Sequence, residues 1–249
     1  MQRKWGWIPD LPDGRDFSFK REFPGRKVPD KVDLRPLCSP VEDQGNLGSC
    51  TANAGVGVYE TLEAKQGMKP FEDKSRLFLY YNTRSLEGTT GQDSGASIRD
   101  TIRAMARWGL CSESIWPYDI CRFDKKPASK CYAEAKKHLI VAYQRLYTLD
   151  EMLGCLADGF PFEFGFSVYE SFESDQVART GLVPMPKRGE SLLGGHAVVG
   201  VGYDQATERL IVRNSWGVGW GDKGYFYLPF AYASNRNLSD DFWKVSKES

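Results

Sequence analysis

Residues 212–229 read VRNSWGVGWGDKGYFYLP, and this stretch decides the fold. It opens on a branched residue and closes on YFYLP, the residue types that suit a pleated, half-buried surface. Between the two ends Gly217, Gly219, Gly221 and Gly224 mark a turn-rich connection. The stretch therefore predicts two strands with a glycine-rich turn between them. Residues 219–224 also fit the spacing G-x-G-x-x-G. A dinucleotide site needs a helix directly after those glycines, to hold a pyrophosphate at its N-terminus. Here the next segment, YFYLP (225–229), is β-like, so these glycines are not read as a dinucleotide site.

Working outward, HLIVAYQRLY (138–147), FPFEFGFSVY (160–169), HAVVGVGYD (196–204) and RLIVRNSW (209–216) have the same character, with Gly, Pro and Asp between them. They predict an antiparallel sheet or barrel, interrupted by one short helix over LDEMLGCLADG (149–159). The first half reads differently. TANAGVGVYETLEAKQG (51–67) is helical up to Gly67, a second helix is expected over 74–85, and IRDTIRAMARWG (98–109) has apolar residues at 98, 102, 105 and 108 before Gly109. The order is a helical half and then a β half.

The chain has two histidines, His138 and His196, so a thiol enzyme using a cysteine–histidine pair must use one of them. His138 lies in the charged stretch EAKKHLIV, which reads as surface. His196 comes after Gly194 and Gly195 at the start of a buried-strand pattern, where backbone can approach closely. Alone, that position suits a packed strand as well as a base. Cys50 stands where VEDQGNLGS meets a helix. The positive end of a helix dipole stabilises a thiolate there, and Gly45 and Gly48 mark a sharp turn presenting the side chain. A buried inert thiol remains the ordinary alternative for a lone cysteine. Gln44, six residues earlier, offers an amide donor to a developing oxyanion.

Together these segments resemble papain-like cysteine peptidases. EDQGNLGSCTANA (42–54) is similar to the nucleophile segment, GGHAVVGVGYD (194–204) to the histidine strand, and VRNSWGVGWGDKGYFYLP to the asparagine strand. PDKVDLR (29–35) resembles the mature start, GQDSGASIRD (91–100) the glycine-rich substrate wall, and ESIWPYD (113–119) the Pro-Tyr turn. The resemblance implies an α+β, two-lobed fold: a helical left lobe mainly over 45–135, an antiparallel β-barrel-like right lobe mainly over 137–230, and the active-site cleft between. It implies Cys50 as nucleophile, His196 as base, Asn214 orienting that histidine, and Gln44 sharing the oxyanion hole with the Cys50 N–H. Trp216 would shield the His–Asn bond, and Ser94, Gly95, Gly195 and Ala197 would line the substrate site. Where the family usually has a cysteine and a tryptophan, this chain has Leu47 and Thr51. That departure points to a bacterial or otherwise non-standard branch, without a common disulfide beside the site.

Thirty-three basic residues balance thirty-three acidic ones, with no basic block, so a nucleic-acid or membrane-surface partner has no electrostatic support. No apolar run approaches the ~20 residues of a membrane helix, and the N-terminal stretch lacks the continuous apolar core of a signal peptide. The expected partners are peptides or unfolded proteins, with no cofactor. Six cysteines at 38, 50, 111, 121, 131 and 155 are too sparse for a disulfide framework and lack short zinc-site spacings, so no metal is expected. Residues 1–27, with Trp5, Trp7, Phe17, Phe19 and Phe23 among prolines and glycines, read as a strap ahead of a catalytic domain over 28–249. Its aromatics need a partner surface, either the cleft in cis, as in a zymogen, or a site elsewhere. Two other functions stay open: a different thiol acyl transfer (amidase or transglutaminase-like), and an inactive binding relative. All four catalytic positions being filled weighs against the latter.

Overall fold

The computed structural model describes residues 4–19, 27–68 and 71–247. At its centre lies helix α1, Cys50–Lys65, buried along nearly its whole length. A helix buried on all sides belongs inside a core, and its small residues let neighbours come close. Gly55 meets Met105, Thr101 and Leu79, and Gly57 meets the Arg213 side chain. Helices α2 (Arg76–Glu87) and α3 (Ile98–Trp108) pack beside it. Ser75 and Ser97 cap their N-termini by accepting from Phe78 N and Asp100 N, and Gly88 (φ 73°) and Gly109 (φ 78°) end them. A short helix α4, Ser129–Ala135, completes this lobe.

The second lobe is an antiparallel sheet. Its strands are β1 (Lys31–Asp33), β2 (Ala142–Leu146), β3 (Phe162–Tyr169), β4 (Leu192–Asp204), β5 (Arg209–Arg213), β6 (Tyr225–Pro229) and β7 (Ser239–Ser246). The hydrogen-bonded order is β2-β7-β3-β4-β5-β6, with β1 on β4; this path does not close on itself. Helix α5, Leu149–Ala157, carries a capping box between Thr148 and Glu151, while α6 (Asp175–Thr180) and α7 (Phe230–Ala233) are short. Strand β7 lies beyond the 137–230 expected for the β lobe, yet it sits between β2 and β3.

The lobes meet along α1 and β4. Ala197, Val199 and Val201 join the core around α1, and Val198 joins the β core of Phe162, Phe164, Phe166 and Phe242. Covered on both faces, β4 needs the unbroken apolar run its sequence shows. The N-terminal strap crosses the molecule in extended form. Trp7 makes a parallel bridge with Ala96, and Ser18 another with Arg145. Phe23 and the Pro24–Gly25 pair lie outside the described residues. Among the described residues, no helix is long and apolar enough to cross a membrane.

Candidate active site

Cys50 is the first residue of α1 and His196 lies on β4, which packs against α1, and the backbone of Ala197, next to His196, comes within hydrogen-bonding reach of the Cys50 sulfur. Both are fully buried. His196 Nε2 lies 2.8 Å from Asn214 Oδ1, which also accepts from Ser215 N at 2.8 Å. An amide oxygen only accepts, so Nε2 carries the hydrogen and Nδ1 is the nitrogen that can serve the thiol. Trp216 stacks on the imidazole, centroids 5.0 Å apart at 26°, and Phe166 meets it edge-on at 5.8 Å.

Gln44 is 1% exposed and its amide orientation is fixed from both ends. Oε1 accepts from Ser215 Oγ at 2.6 Å, while Nε2 donates to Leu47 O at 2.9 Å and reaches Lys4 O at 3.4 Å. Sequence reasoning missed Ser215, which holds Gln44 through its side chain and Asn214 through its amide. It also missed Asp93, which accepts from Gly48 N at 3.0 Å and from Tyr80 Oη at 2.5 Å. Leu47 leaves no cysteine to tie this loop, and Asp93 holds its backbone by hydrogen bonds instead. All six cysteines are free thiols.

What buries the pair is the strap. The Gly6 N–H and the Ala197 backbone lie within hydrogen-bonding reach of the Cys50 sulfur, and burial pushes that thiol up to about 12. Trp5 packs against both the His196 ring (5.8 Å) and the Trp216 ring (5.5 Å). Trp7 N donates to Gly195 O at 3.0 Å; Ala96 N donates to Gly6 O at 2.8 Å, and Ala96 O accepts from Ile8 N at 3.0 Å. The strap is thus paired with both walls of the cleft. Gly95 is tightly constrained here: its φ is 74°, and a Cβ on it would lie 2.3 Å from Gly6 O. The wall's backbone pairing is made by Ala96, one position beyond the expected Ser94 and Gly95. Ser94 turns to its own loop, bonding Thr89 Oγ1 and Gly95 O.

His138 stands apart from the cleft. Its ring faces Glu134 (3.0 Å), Glu63 (3.5 Å), the Lys74 ammonium and Tyr59. Glu72, Glu134 and His138 converge closely enough to hold a cation, but Lys74 Nζ, 2.7 Å from Glu72, already supplies one.

A helix-borne cysteine, a strand-borne histidine held by an asparagine, and a fixed amide donor define a thiol hydrolase. Residues 28–240 match the family described as Papain family cysteine protease. Over its whole length the chain is 40% identical to xylellain, a cysteine protease from Xylella fastidiosa, covering 99% of that structure with a TM-score of 0.93. A peptidase C1-like protein of Acanthamoeba polyphaga mimivirus is 39% identical over 99% of this chain and 88% of the relative. A cathepsin L-like proteinase of Fasciola hepatica is 29% identical over 217 residues, which make up 83% of this chain and 62% of the relative. The chain belongs to the papain family of cysteine proteases, and thiol-dependent proteolysis is its chemistry. The expected bacterial likeness is met by xylellain, and the viral relative is about as similar.

Proposed function

We propose that this chain hydrolyses peptide bonds of extended protein substrates through Cys50, His196, Asn214 and Gln44, and that residues 4–10 of its own strap hold the site shut. The observation carrying this reading is the Gly6 main chain seated on the Cys50 sulfur between Ala96 and Gly195. A cleft whose walls offer backbone donors and acceptors to an extended chain is built for a peptide.

In the open site, Cys50 passes its proton to His196 Nδ1 and the sulfur attacks the scissile carbonyl carbon. The oxygen takes up the negative charge and is held by the Cys50 N–H, at the helix start, and by Gln44 Nε2. Collapse expels the amine, which takes the proton from His196, and leaves a thioester. Water, deprotonated by His196, then releases the acid. Asn214 keeps the ring in register throughout.

A side chain at position 6 tests the blockade, since a Cβ there would lie 2.0 Å from Gly48 O. Full-length Gly6→Val is expected to react with a thiol-directed peptide inhibitor at least roughly tenfold faster than the native chain, with mass addition at Cys50. Cys50→Ala should lose both labelling and peptide hydrolysis. Equal labelling of native chain and Gly6→Val would rule out the strap as the block; hydrolysis surviving Cys50→Ala would rule out the mechanism.

A further inference from the structure

The chain leaving α3 runs alongside α4, and the approach is close enough to demand a glycine. A Cβ on Gly109 would collide with Ala135 O, and the residue stands at φ 78°. Leu110 N donates to His138 O at 3.2 Å, and Ser112 N donates to Glu134 Oε2 at 2.9 Å. Cys111 lies between these two anchors, and its own carbonyl accepts from Ser75 N at 2.8 Å. On α4, Cys131, Glu134 and Ala135 are spaced i, i+3, i+4 and so share one face. Glu134 and Ala135 meet residues 109–112, so that face presents Cys131 to Cys111. The two sulfurs come within hydrogen-bonding reach of one another, and both residues are wholly buried. The other thiols are engaged elsewhere. Cys38 Sγ donates to Leu34 O at 3.5 Å and Cys155 Sγ to Phe160 O at 3.4 Å, while Cys121 is exposed and Cys50 lies under the strap.

We infer that Cys111 and Cys131 are a disulfide site: given a small-molecule disulfide such as oxidised glutathione, they close a bridge between the end of α3 and α4. The thiolate of one cysteine attacks the small disulfide, expels one thiol and forms a mixed disulfide. The second cysteine's thiolate then attacks the protein sulfur of that intermediate and expels the other thiol. The protein gives up two protons and two electrons, and the small disulfide, taking up both, leaves as two thiols. In the closed fold, burial and then the neighbouring Cys131 sulfur push the Cys111 thiol up, so it is a poor nucleophile there. Entry is through α4. That helix has seven residues, Cys131 lies in its first turn, and its N-cap, Ala128, supplies no side-chain acceptor. A short, uncapped helix opens locally at low cost, and its opening bares Cys131 to the small disulfide. The bridge closes a loop of about twenty residues, long enough to restrict the unfolded chain. That loop encloses Tyr118, whose hydroxyl meets Ser49 Oγ at 2.6 Å and Gln44 O at 3.0 Å, the two ends of the turn that leads to Cys50.

The test keeps the full-length native chain in a buffer of oxidised and reduced glutathione until no further change, then digests it without reduction. The peptide map should show the Cys111 peptide joined to the Cys131 peptide, lighter by two hydrogens than the two apart. The bridged chain should melt roughly 5–10 °C above the same chain held in a reducing agent. Cys111→Ala and Cys131→Ala, made separately, should each abolish the joined peptide and the difference in melting temperature, and either serves if the other does not fold. A map in which Cys111 and Cys131 stay free, carry glutathione or pair with another cysteine overturns the proposal. So does a bridge that leaves the melting temperature within about 1 °C of the reduced chain's. Neither outcome touches the peptidase reading, which depends on Cys50.

Discussion

Ser215 shows how much of this site rests on residues that never meet substrate. Its hydroxyl fixes Gln44 Oε1 and its amide fixes Asn214 Oδ1, so one residue orients both the proposed oxyanion donor and the histidine's anchor. Ser215→Ala in the Gly6→Val chain is expected to lower kcat/KM about tenfold, mostly through kcat. Gln44→Ala should cost about a hundredfold, the scale of losing an oxyanion donor. Iodoacetamide alkylation develops no oxyanion, so its rate should hold in both; a parallel fall would mean general damage. The four proposed catalytic positions stood out because each lies in a local motif: glutamine before a helix-opening cysteine, a histidine at a strand start, an asparagine before Ser-Trp-Gly. Ser215 and Asp93 did not. Serine and aspartate are common, and what makes them matter is a partner far away in sequence.

At the scale of elements, α1, α2, α3, α5 and five of the strands were legible from periodicity and turn residues, whereas β7 was not. Its sequence SDDFWKVS hides Phe242, Trp243 and Val245 behind paired charges, and Asp240 and Asp241 are tolerated because Arg145 of β2 meets them. The strap's fastening is likewise a matter of charge. Asp10 accepts from the Trp243 indole at 2.9 Å and from Arg99 N at 3.1 Å. Burial, and then the neighbouring Asp241, push its carboxyl up to about 6. Around it stand Asp241 and Asp240 on β7, Arg145 on β2, Arg99 on α3, Glu163 on β3 and Asp16 of the strap itself. In a released strap Asp10 would titrate at about 3.9. The docked form binds its proton more tightly, so acid favours docking, and that advantage is lost as pH rises through about 6. The labelling rate of the native chain relative to Gly6→Val, a ratio that cancels the thiol's own chemistry, should rise several-fold between about pH 4.5 and 7.5. Asp10→Asn should flatten it.

For the whole molecule, the strap packs against both lobes, so the block proposed above would be tethered to what it blocks. An intramolecular inhibitor acts at an effective concentration set by its linker, not by the protein concentration. The native chain's labelling rate should therefore stay constant from nanomolar to micromolar protein, and a rise on dilution would indicate a block supplied by another copy. The strap also binds only the folded body, so loosening it should show in stability. Gly6→Val should melt a few degrees lower while reacting faster, at ~2–4 °C per kcal/mol for a chain of this size.

The bridge between Ser18 and Arg145 gives the strap a second task. Arg145 N donates to Phe17 O at 2.7 Å, and Phe19 N donates to Arg145 O at 2.9 Å, on β2, the last strand of the sheet. The segment thus covers a strand edge as well as a nucleophile. A strap that left altogether would bare a row of unsatisfied amides and carbonyls, a template on which other chains pair and aggregate. Opening the cleft without exposing that edge calls for a hinge: residues 4–10 swing away, residues 17–19 stay hydrogen-bonded, and the segment between them bends. Catalytic readiness and freedom from aggregation would then be parted within sixteen residues of one chain.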